Sequence, residues 1–294
     1  QAIQSTSNSK LIAVCDLVEA RAQELAQPYG IPHYTNYHAM MAAHPDADIV
    51  TIMTPSGMHA EHAADILNRY RKNVVIEKPM VMTPAQGADL ARIAKKNDVR
   101  IFPIFQNRFN KAVQRVAAAM QSGGELGPLR VGTVRMRWCR PERYYKQSQW
   151  RGTWAMDGGA LTNQGIHYID ILRYLCGDVK RVNSVLATLG AQIEVEDTAV
   201  AAVEFKNGAV GVIEVMTSAR DKDFEASVSC VCEKGLAVIA GIATNDLTTF
   251  SPDPAQQAAF SEEFPTVYGF GHNVMMQRIS AAVQDGTAAP VEFE

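Results

Sequence analysis

The sequence predicts an α/β domain followed by an α+β domain, divided at about residue 105, and three observations lead there. Short apolar runs alternate with helical periods over the first third of the chain. Beyond it the runs lengthen, alternate polar with apolar at period two, and follow one another through turn residues. The chain has 294 residues and is 47% hydrophobic, enough to bury a core in each of two domains.

Within residues 1–105 the elements follow in order. Leu11 to Cys15 is a short β-branched apolar run and predicts a buried strand; Glu19 to Tyr29 is helical, and Pro28, Gly30 and Pro32 end it. Ile49 to Met53 is the next strand, and a helix follows from His59 to Arg69. Val74 to Ile76 is a third strand. Thr83 is placed to cap the next helix and Pro84 to begin it, because proline gives up an N–H that the first turn leaves unpaired anyway. Val99 to Phe102 is a fourth strand. Strands alternating with helices mean right-handed crossovers and a parallel sheet, a nucleotide-binding layer.

Residues 106–294 change pattern. A helix from Lys111 to Gln121 stops at Gly123-Gly124, and Val131 to Arg140 alternates as a strand with Thr133, Arg135 and Arg137 on one face and Val134, Met136 and Trp138 on the other. Further strands are expected at Val182–Leu186, Thr198–Phe205, Val210–Met216, Ala226–Cys232 and Leu236–Ile239. Asn207-Gly208 suits a tight hairpin. Hairpin-linked strands give a large, mostly antiparallel sheet, with one face on helices and the other free to pair subunits.

A dinucleotide-binding sheet ordinarily opens with a strand and a G-x-G-x-x-G turn, and this sequence has none. The acidic residue that should follow it is present: Asp16 ends the Leu11–Cys15 strand, where a carboxylate can accept from ribose hydroxyls. The expectation is that the first strand and the glycine loop lie upstream of Gln1, so that Gln1 to Gln4 finish the first helix. Asp16 is followed by Leu17 and Val18 rather than arginine, which favours NAD over its 2′-phosphorylated form; Arg21, one turn on, softens that preference.

Composition excludes some classes. The net charge is -3, unlike a general nucleic-acid binder. No apolar stretch reaches the ~18 residues of a membrane span, and the first residues are polar, so the expected location is the cytoplasm, with no membrane partner. Cys15, Cys139, Cys176, Cys230 and Cys232 lack metal-ligand spacing and read as reduced core residues; no metal is expected.

Two segments carry chemistry. Glu77-Lys78-Pro79 closes the Val74–Ile76 strand and brings a lysine and a carboxylate to the carboxyl edge of the sheet, where open α/β sheets bind ligands. Thr54, Pro55, His59 and Gln106 stand at neighbouring strand ends. In the second half, Asp157-Gly158-Gly159 runs to Asn163 and His167 around a helix start. The two segments together predict an active site shared between domains. Between Arg130 and Arg151 the basic residues are Arg130, Arg135, Arg137, Arg140, Arg143, Lys146 and Arg151, against one acid, Glu142. Trp138, Tyr144, Tyr145, Trp150 and Trp154 interleave with them. This cluster either holds an anion by arginine forks or pairs with acids elsewhere in the fold.

These residues resemble the Gfo/Idh/MocA oxidoreductases. The likeness rests on Glu77-Lys78-Pro79, Thr54-Pro55-Ser56 with His59, and the segment from Gly158-Gly159 to His167. More narrowly, Phe105 to Arg108, Arg137 to Pro141, Arg143-Tyr144-Tyr145, Trp150 to Trp154 and Asn163 to His167 are similar to the WlbA type, UDP-N-acetyl-2-amino-2-deoxyglucuronate dehydrogenases. The resemblance implies a Rossmann domain, NAD as cofactor, and oxidation of a secondary hydroxyl, C3, of a UDP-linked N-acetylhexosaminuronate in surface polysaccharide biosynthesis. It implies Lys78, His167 and Asn163 as catalytic residues. It places Asp16, Arg21, Thr54, Pro55, Ser56, His59, Glu77, Lys78, Gln106, Trp150 and Arg151 on the cofactor, and Arg137, Arg143, Tyr144, Tyr145, Asn163 and His167 on the substrate. The expected assembly is a homodimer or homotetramer.

Many relatives carry aspartate where this chain has Asn163. An amide four residues before His167 can orient the ring without raising its proton affinity, so His167 is the weaker base here. Lys78 and His167 compete for the hydroxyl proton, with Lys78 expected to bind the reacting oxygen and relay it. Two alternatives stay open: a dehydrogenase of a free sugar or cyclitol, and a ligand-sensing regulator of the same fold.

Overall fold

The computed structural model describes residues 2–266 and 268–293. The chain divides into two compact units: Gln1–Thr54, Met58–Ile104 and Asn273–Glu294 form the first, and Pro55–Gly57 with Phe105–His272 the second.

The first unit is the α/β layer. In order it contains β1 (Val14–Cys15), α1 (Glu19–Ala26), β2 (His33–Tyr34), α2 (Tyr37–Ala43), β3 (Ile49–Ile52), α3 (His59–Asp65), β4 (Asn73–Ile76), α4 (Pro84–Asn97) and β5 (Ile101–Pro103). β1 pairs with β2, and β3, β4 and β5 lie side by side, every pairing parallel. Val74, Val75 and Ile76 are fully buried, as an unbroken apolar run requires when helices cover both faces. Their cover includes Ala60 and Ala63 of α3 and Leu90 and Ile93 of α4. Thr83 caps α4 as expected: its Oγ1 accepts from Gln86 N at 3.2 Å, and Gln86 Oε1 accepts from Thr83 N at 3.1 Å.

Three features of this unit differ from expectation. Residues 2–8 form turns, not the end of a helix, and Gln1 lies outside the described residues. The strand expected over Leu11–Cys15 is shortened to its last two residues. A final helix, α9 (Gly271–Asp285, numbered after the helices of the second unit), is an element the sequence reading does not contain. From Asn273 onward it groups with the first unit rather than with 106–294, because Arg100 Nη1 donates to Ala282 O at 2.7 Å and to Thr287 O at 2.9 Å.

The second unit contains α5 (Lys111–Met120), β6 (Leu129–Arg137), α6 (Glu142–Tyr145), α7 (Ile166–Cys176), β7 (Val179–Ala187), β8 (Thr198–Phe205), β9 (Val210–Met216), β10 (Glu225–Cys232), β11 (Leu236–Ala240), β12 (Asp246–Phe250) and α8 (Gln256–Phe260). The sheet order is β12-β11-β10-β6-β9-β8-β7, and only the β6·β9 neighbours run parallel. Asn207-Gly208 makes the expected hairpin, with Gly208 at φ +89°. One sheet face packs on α5 and α7, burying Val134, Met136, Val203, Phe205 and Val215 against Val116, Ile171 and Leu172. Gly132 allows that approach, since a Cβ there would stand 2.6 Å from Cys176 Sγ. The opposite face is open and carries Arg135, Arg137 and a patch of valines. Pro55–Gly57 belongs to this unit because Gly57 N donates to Met156 O at 3.1 Å and a Cβ on Gly57 would strike Ala155 O. All five cysteines are free.

Candidate active site

The first unit gathers its candidate residues where strands end. Asp16 follows β1, and its Oδ1 accepts from Val18 N at 2.8 Å, which closes the turn into α1. Arg21 is exposed on the first turn of α1, and Leu17 is 85% exposed beside Asp16. Thr54, also exposed, follows β3, and its hydroxyl lies 3.0 Å from His62 Nδ1. Glu77 and Lys78 follow β4 directly and are half-buried. Glu77 N donates to Ile52 O at 3.0 Å, continuing the ladder. Loss of water raises the Glu77 carboxyl above its usual range, and the neighbouring Lys78 pulls the other way.

His59 is placed differently from a ligand-contacting residue. It is 1% exposed, with Nε2 2.6 Å from Thr54 O and Nδ1 2.8 Å from Pro79 O. The ring therefore braces the chain after β3 against the chain after β4, fixing the backbone that carries Thr54 and Lys78.

The second unit gathers a separate set. Leu161–Gly165 is a π-helical turn that runs into α7, a local widening common at functional sites. Two long-range bonds tie down its start: Ala160 N donates to Glu196 O at 2.9 Å, and Leu161 N to Glu196 Oε1 at 3.0 Å. Asn163 lies on this turn, buried, and its Nδ2 donates to the Asp157 carboxylate. Gln164 Nε2 donates to Asn163 Oδ1 at 3.2 Å and to the Tyr144 hydroxyl at 3.0 Å. Tyr145 OH lies 3.0 Å from Thr217 Oγ1. Burial raises both tyrosine hydroxyls above their ordinary proton affinity, so they stay neutral donors. His167 follows on α7, with Phe105 set edge-on to its ring at 6.5 Å. Together Arg140, Tyr144, Tyr145, Asn163, Gln164 and Thr217 help to line a small cavity.

The arginine cluster splits in two. Arg137 donates to Glu214 at 2.6 Å and to Glu225 at 3.3 Å on the open sheet face, Arg135 pairs with the same acids, and Arg140 pairs with Asp223 at 2.9 Å. For these three the acid-paired alternative is what the fold contains. Arg137 does not line the Tyr144–Asn163 cavity. Arg143 is exposed on α6. Arg151 is unlike them: its guanidinium lies 4.0 Å from the Tyr144 ring centre, and its Nε and Nη1 are shut from water with no hydrogen-bond partner among the described residues. Buried donors of that kind call for an anion or a carbonyl. Gln106 Oε1 is a buried acceptor in the same condition. Trp150 is half-buried and Ser56 buried. Sequence reasoning did not single out Glu196 or Thr217, whose roles depend on contacts distant in the chain.

Comparison with known proteins agrees with the two-layer fold. The profile described as "Oxidoreductase family, NAD-binding Rossmann fold" matches residues 1–105, and the "GFO/IDH/MocA C-terminal domain" profile matches residues 113–238. The chain belongs to the Gfo/Idh/MocA oxidoreductase family. Its first layer is the family's NAD-binding Rossmann domain. The WlbA dehydrogenase of Bordetella pertussis, crystallised with NADH and UDP-GlcNAcA, is 32% identical, with 98% of this chain and 84% of that one covered at a TM-score of 0.89. D-glucoside 3-dehydrogenase of Escherichia coli is 29% identical over 220 residues, 68% of this chain and 61% of the relative. Myo-inositol 2-dehydrogenase of Thermotoga maritima is 28% identical over 214 residues, 69% and 60%. The chain thus spans about three-fifths of the length of these curated relatives.

The residues present fit NAD. Asp16 spends one carboxylate oxygen on Val18 N, leaving acceptor capacity for ribose hydroxyls, and the orphaned Gln106 Oε1 is a buried acceptor of the kind that would meet an amide.

Proposed function

We propose that this chain oxidises a secondary hydroxyl, at C3, of a UDP-linked N-acetylhexosaminuronate, with NAD as the acceptor. The observation that carries this reading is Arg151, placed here on the substrate rather than on the cofactor as the resemblance implied: two buried guanidinium donors with no hydrogen-bond partner among the described residues, stacked on Tyr144 in the unit that also holds Asn163 and His167. A uronate or diphosphate oxygen would satisfy them in the bidentate manner that arginine favours. Supporting it, a WlbA dehydrogenase crystallised with UDP-GlcNAcA is similar along 98% of this chain.

NAD, when bound, supplies the hydride acceptor at the carbinol carbon. The chain supplies the rest. Lys78 binds the reacting oxygen and draws off the hydroxyl proton, His167 acts as the general base or as the partner that receives that proton, and Asn163 orients the substrate. Asp16, Arg21, Thr54, Pro55, Ser56, Glu77, Gln106 and Trp150 serve the cofactor, and Arg143, Tyr144 and Tyr145 the substrate. The same reading includes a second copy of the chain, paired across the open sheet face.

A second reading, a free sugar or cyclitol dehydrogenase, is favoured by one observation: Arg135, Arg137 and Arg140 are already paired with acids, so most of the basic cluster needs no anionic ligand. The two curated relatives named above point the same way.

NADH absorbance separates the readings. Reduction of NAD with UDP-GlcNAcA, and not with myo-inositol or glucosides, is the expected result; the reverse pattern replaces the first reading by the second. With the active substrate, Lys78→Met and His167→Asn should each lower kcat by ~10²- to 10⁴-fold. Near-normal turnover in both variants would remove the acid–base assignment. Binding of NAD and sugar with no turnover on any substrate would favour a sensor.

A further inference from the structure

The two glycines of Gly158-Gly159 are there for different reasons. Gly158 turns the chain at φ +73°, so the helical run that starts at Leu161 cannot extend backward, and its first N–H groups need partners from elsewhere in the fold. Gly159 lies against the Glu196 carboxylate, and a Cβ there would strike both carboxylate oxygens. That closeness lets one residue take two of the donors: Ala160 N donates to Glu196 O at 2.9 Å, and Leu161 N to Glu196 Oε1 at 3.0 Å. Glu196 is in turn held by the sheet. It is 6% exposed, and the residue after it, just before β8, is bonded on both sides: Asp197 N donates to Ala187 O at 3.1 Å, and Thr217 N to Asp197 O at 2.8 Å. The π-helical turn tied down in this way carries Asn163 and Gln164, and both line the cavity together with Glu196. We propose that Glu196 is a positioning residue: its carboxylate, admitted by Gly159, ties the π-helical turn to the sheet and so fixes the direction from which Asn163 and Gln164 face the sugar.

What the turn needs from Glu196 is an acceptor, not a charge. Burial raises the proton affinity of the carboxyl most, the Leu161 N–H opposes that rise, and Asp157 and Asp197 add to it. An amide of the same length keeps an oxygen for Leu161 N–H and relieves the repulsion from the two neighbouring acids. Glu196→Gln should therefore hold the turn. In Glu196→Ala, Leu161 N–H loses its acceptor, and of the two ties only the Ala160 bond is left. Gly159→Ala acts on the same contact from the other side, because its methyl group pushes the carboxylate off its seat. Added to Glu196→Ala, that methyl group meets no carboxylate, so Gly159→Ala should lower the melting temperature of the wild type by more than that of Glu196→Ala.

The role assigned to Glu196 rests on the proposed oxidation, in either of its readings, and the test separates the two. Steady-state kinetics with NAD and whichever of UDP-GlcNAcA, myo-inositol or a glucoside the wild type oxidises should show kcat/KM about ten- to a hundredfold down in Glu196→Ala, the scale for a displaced site group, and close to wild type in Glu196→Gln. A structural role alone would lower the melting temperature of Glu196→Ala without separating the two variants in kcat/KM. Unchanged kcat/KM in Glu196→Ala, or a Glu196→Gln as impaired as Glu196→Ala, overturns the proposal. If the wild type oxidises none of the three, the functional reading fails by itself. Positioning is then read by NMR from the side-chain NH₂ groups of Asn163 and Gln164: resonances shifted in Glu196→Ala and restored in Glu196→Gln support it, and resonances unmoved in Glu196→Ala, or shifted alike in both variants, overturn it. Should Glu196→Ala not fold, Glu196→Asp, which draws the same carboxylate back by one methylene, takes its place in both measurements.

Discussion

His59 shows how one buried side chain can set both a site and a pH response. A neutral imidazole has one N–H, yet two carbonyl oxygens approach the ring, 2.6 Å from Nε2 and 2.8 Å from Nδ1. Burial lowers its proton affinity most, the two carbonyls raise it, and His62 and Lys78 lower it further; the net direction is down. The folded chain therefore resists a proton that the unfolded chain accepts below about pH 6.5. Stability is intact above that value and declines as the pH falls through it toward the folded pKa. His272 is shifted in the same direction by burial, while Glu77, Asp170 and Glu196 are raised and act with the opposite sign. All of these remain in His59→Gln, so a comparison isolates the ring. Urea unfolding at about pH 7.5 and about pH 5.5 should show the wild type losing more stability than His59→Gln on acidification. Equal losses would assign the acid response elsewhere. At this scale Lys78 and His167 are candidates the sequence offers by itself, because a lysine after a buried strand and a histidine after a glycine pair are local signals. The burial of His59 was not, since both its partners are backbone carbonyls whose positions only the fold determines.

Among elements, local chemistry was legible and long-range ties were not. Thr83-Pro84 announced the start of α4, and Asn207-Gly208 announced its hairpin; the second capping bond, through Gln86, is seen only in the structure. The π-helical turn at Leu161–Gly165 could not be read, because it depends on Glu196, 35 residues from Leu161. Helix α9 escapes a reading by periodicity although Met275, Ile279 and Ala282 keep helical spacing and are buried; its stripe is thin and follows a long run of strands. One tie between elements gives a quantitative expectation. Arg108, in the turn Gln106–Phe109, forms two bonds to Asp170 of α7, at 2.8 and 2.5 Å, with side chains 15% and 9% exposed. Even so, burial holds the Asp170 carboxyl above its ordinary range, with Arg108 opposing it. Arg108→Leu would strand that carboxyl in the core and should cost ~3–5 kcal/mol in denaturant unfolding. Adding Asp170→Leu to the same protein should return much of the loss, because two apolar groups leave no charge without a partner. A double variant as unstable as Arg108→Leu would show that the ion pair itself, not the stranded acid, sets the cost.

The whole molecule explains why the basic segment was hard to interpret in one dimension. Strand alternation correctly put Arg135 and Arg137 on one face of β6, but the choice between an anion site and acid pairing depended on β9 and β10, which bring Glu214 and Glu225 alongside. Among the described residues of its own unit no helix covers that face, which exposes Val185 (74%), Val200 (47%), Val210 (52%) and Val212 (42%). Val185 and Val200 are cross-strand partners, so the valines form a patch rather than scattered positions. Such a patch edged by ion pairs suits a second copy of the same surface, since a two-fold axis would set valine against valine and let the charged border remain in water. Val200→Lys with Val212→Lys would place ammonium groups from both copies at the centre of that contact. Surface changes of this kind ordinarily move folding stability by about 0.5 kcal/mol or less, so the variant should melt close to the wild type. Light scattering should then report the mass of one chain for the variant and a multiple of it for the wild type. The same mass in both proteins would mean that copies do not meet across this face.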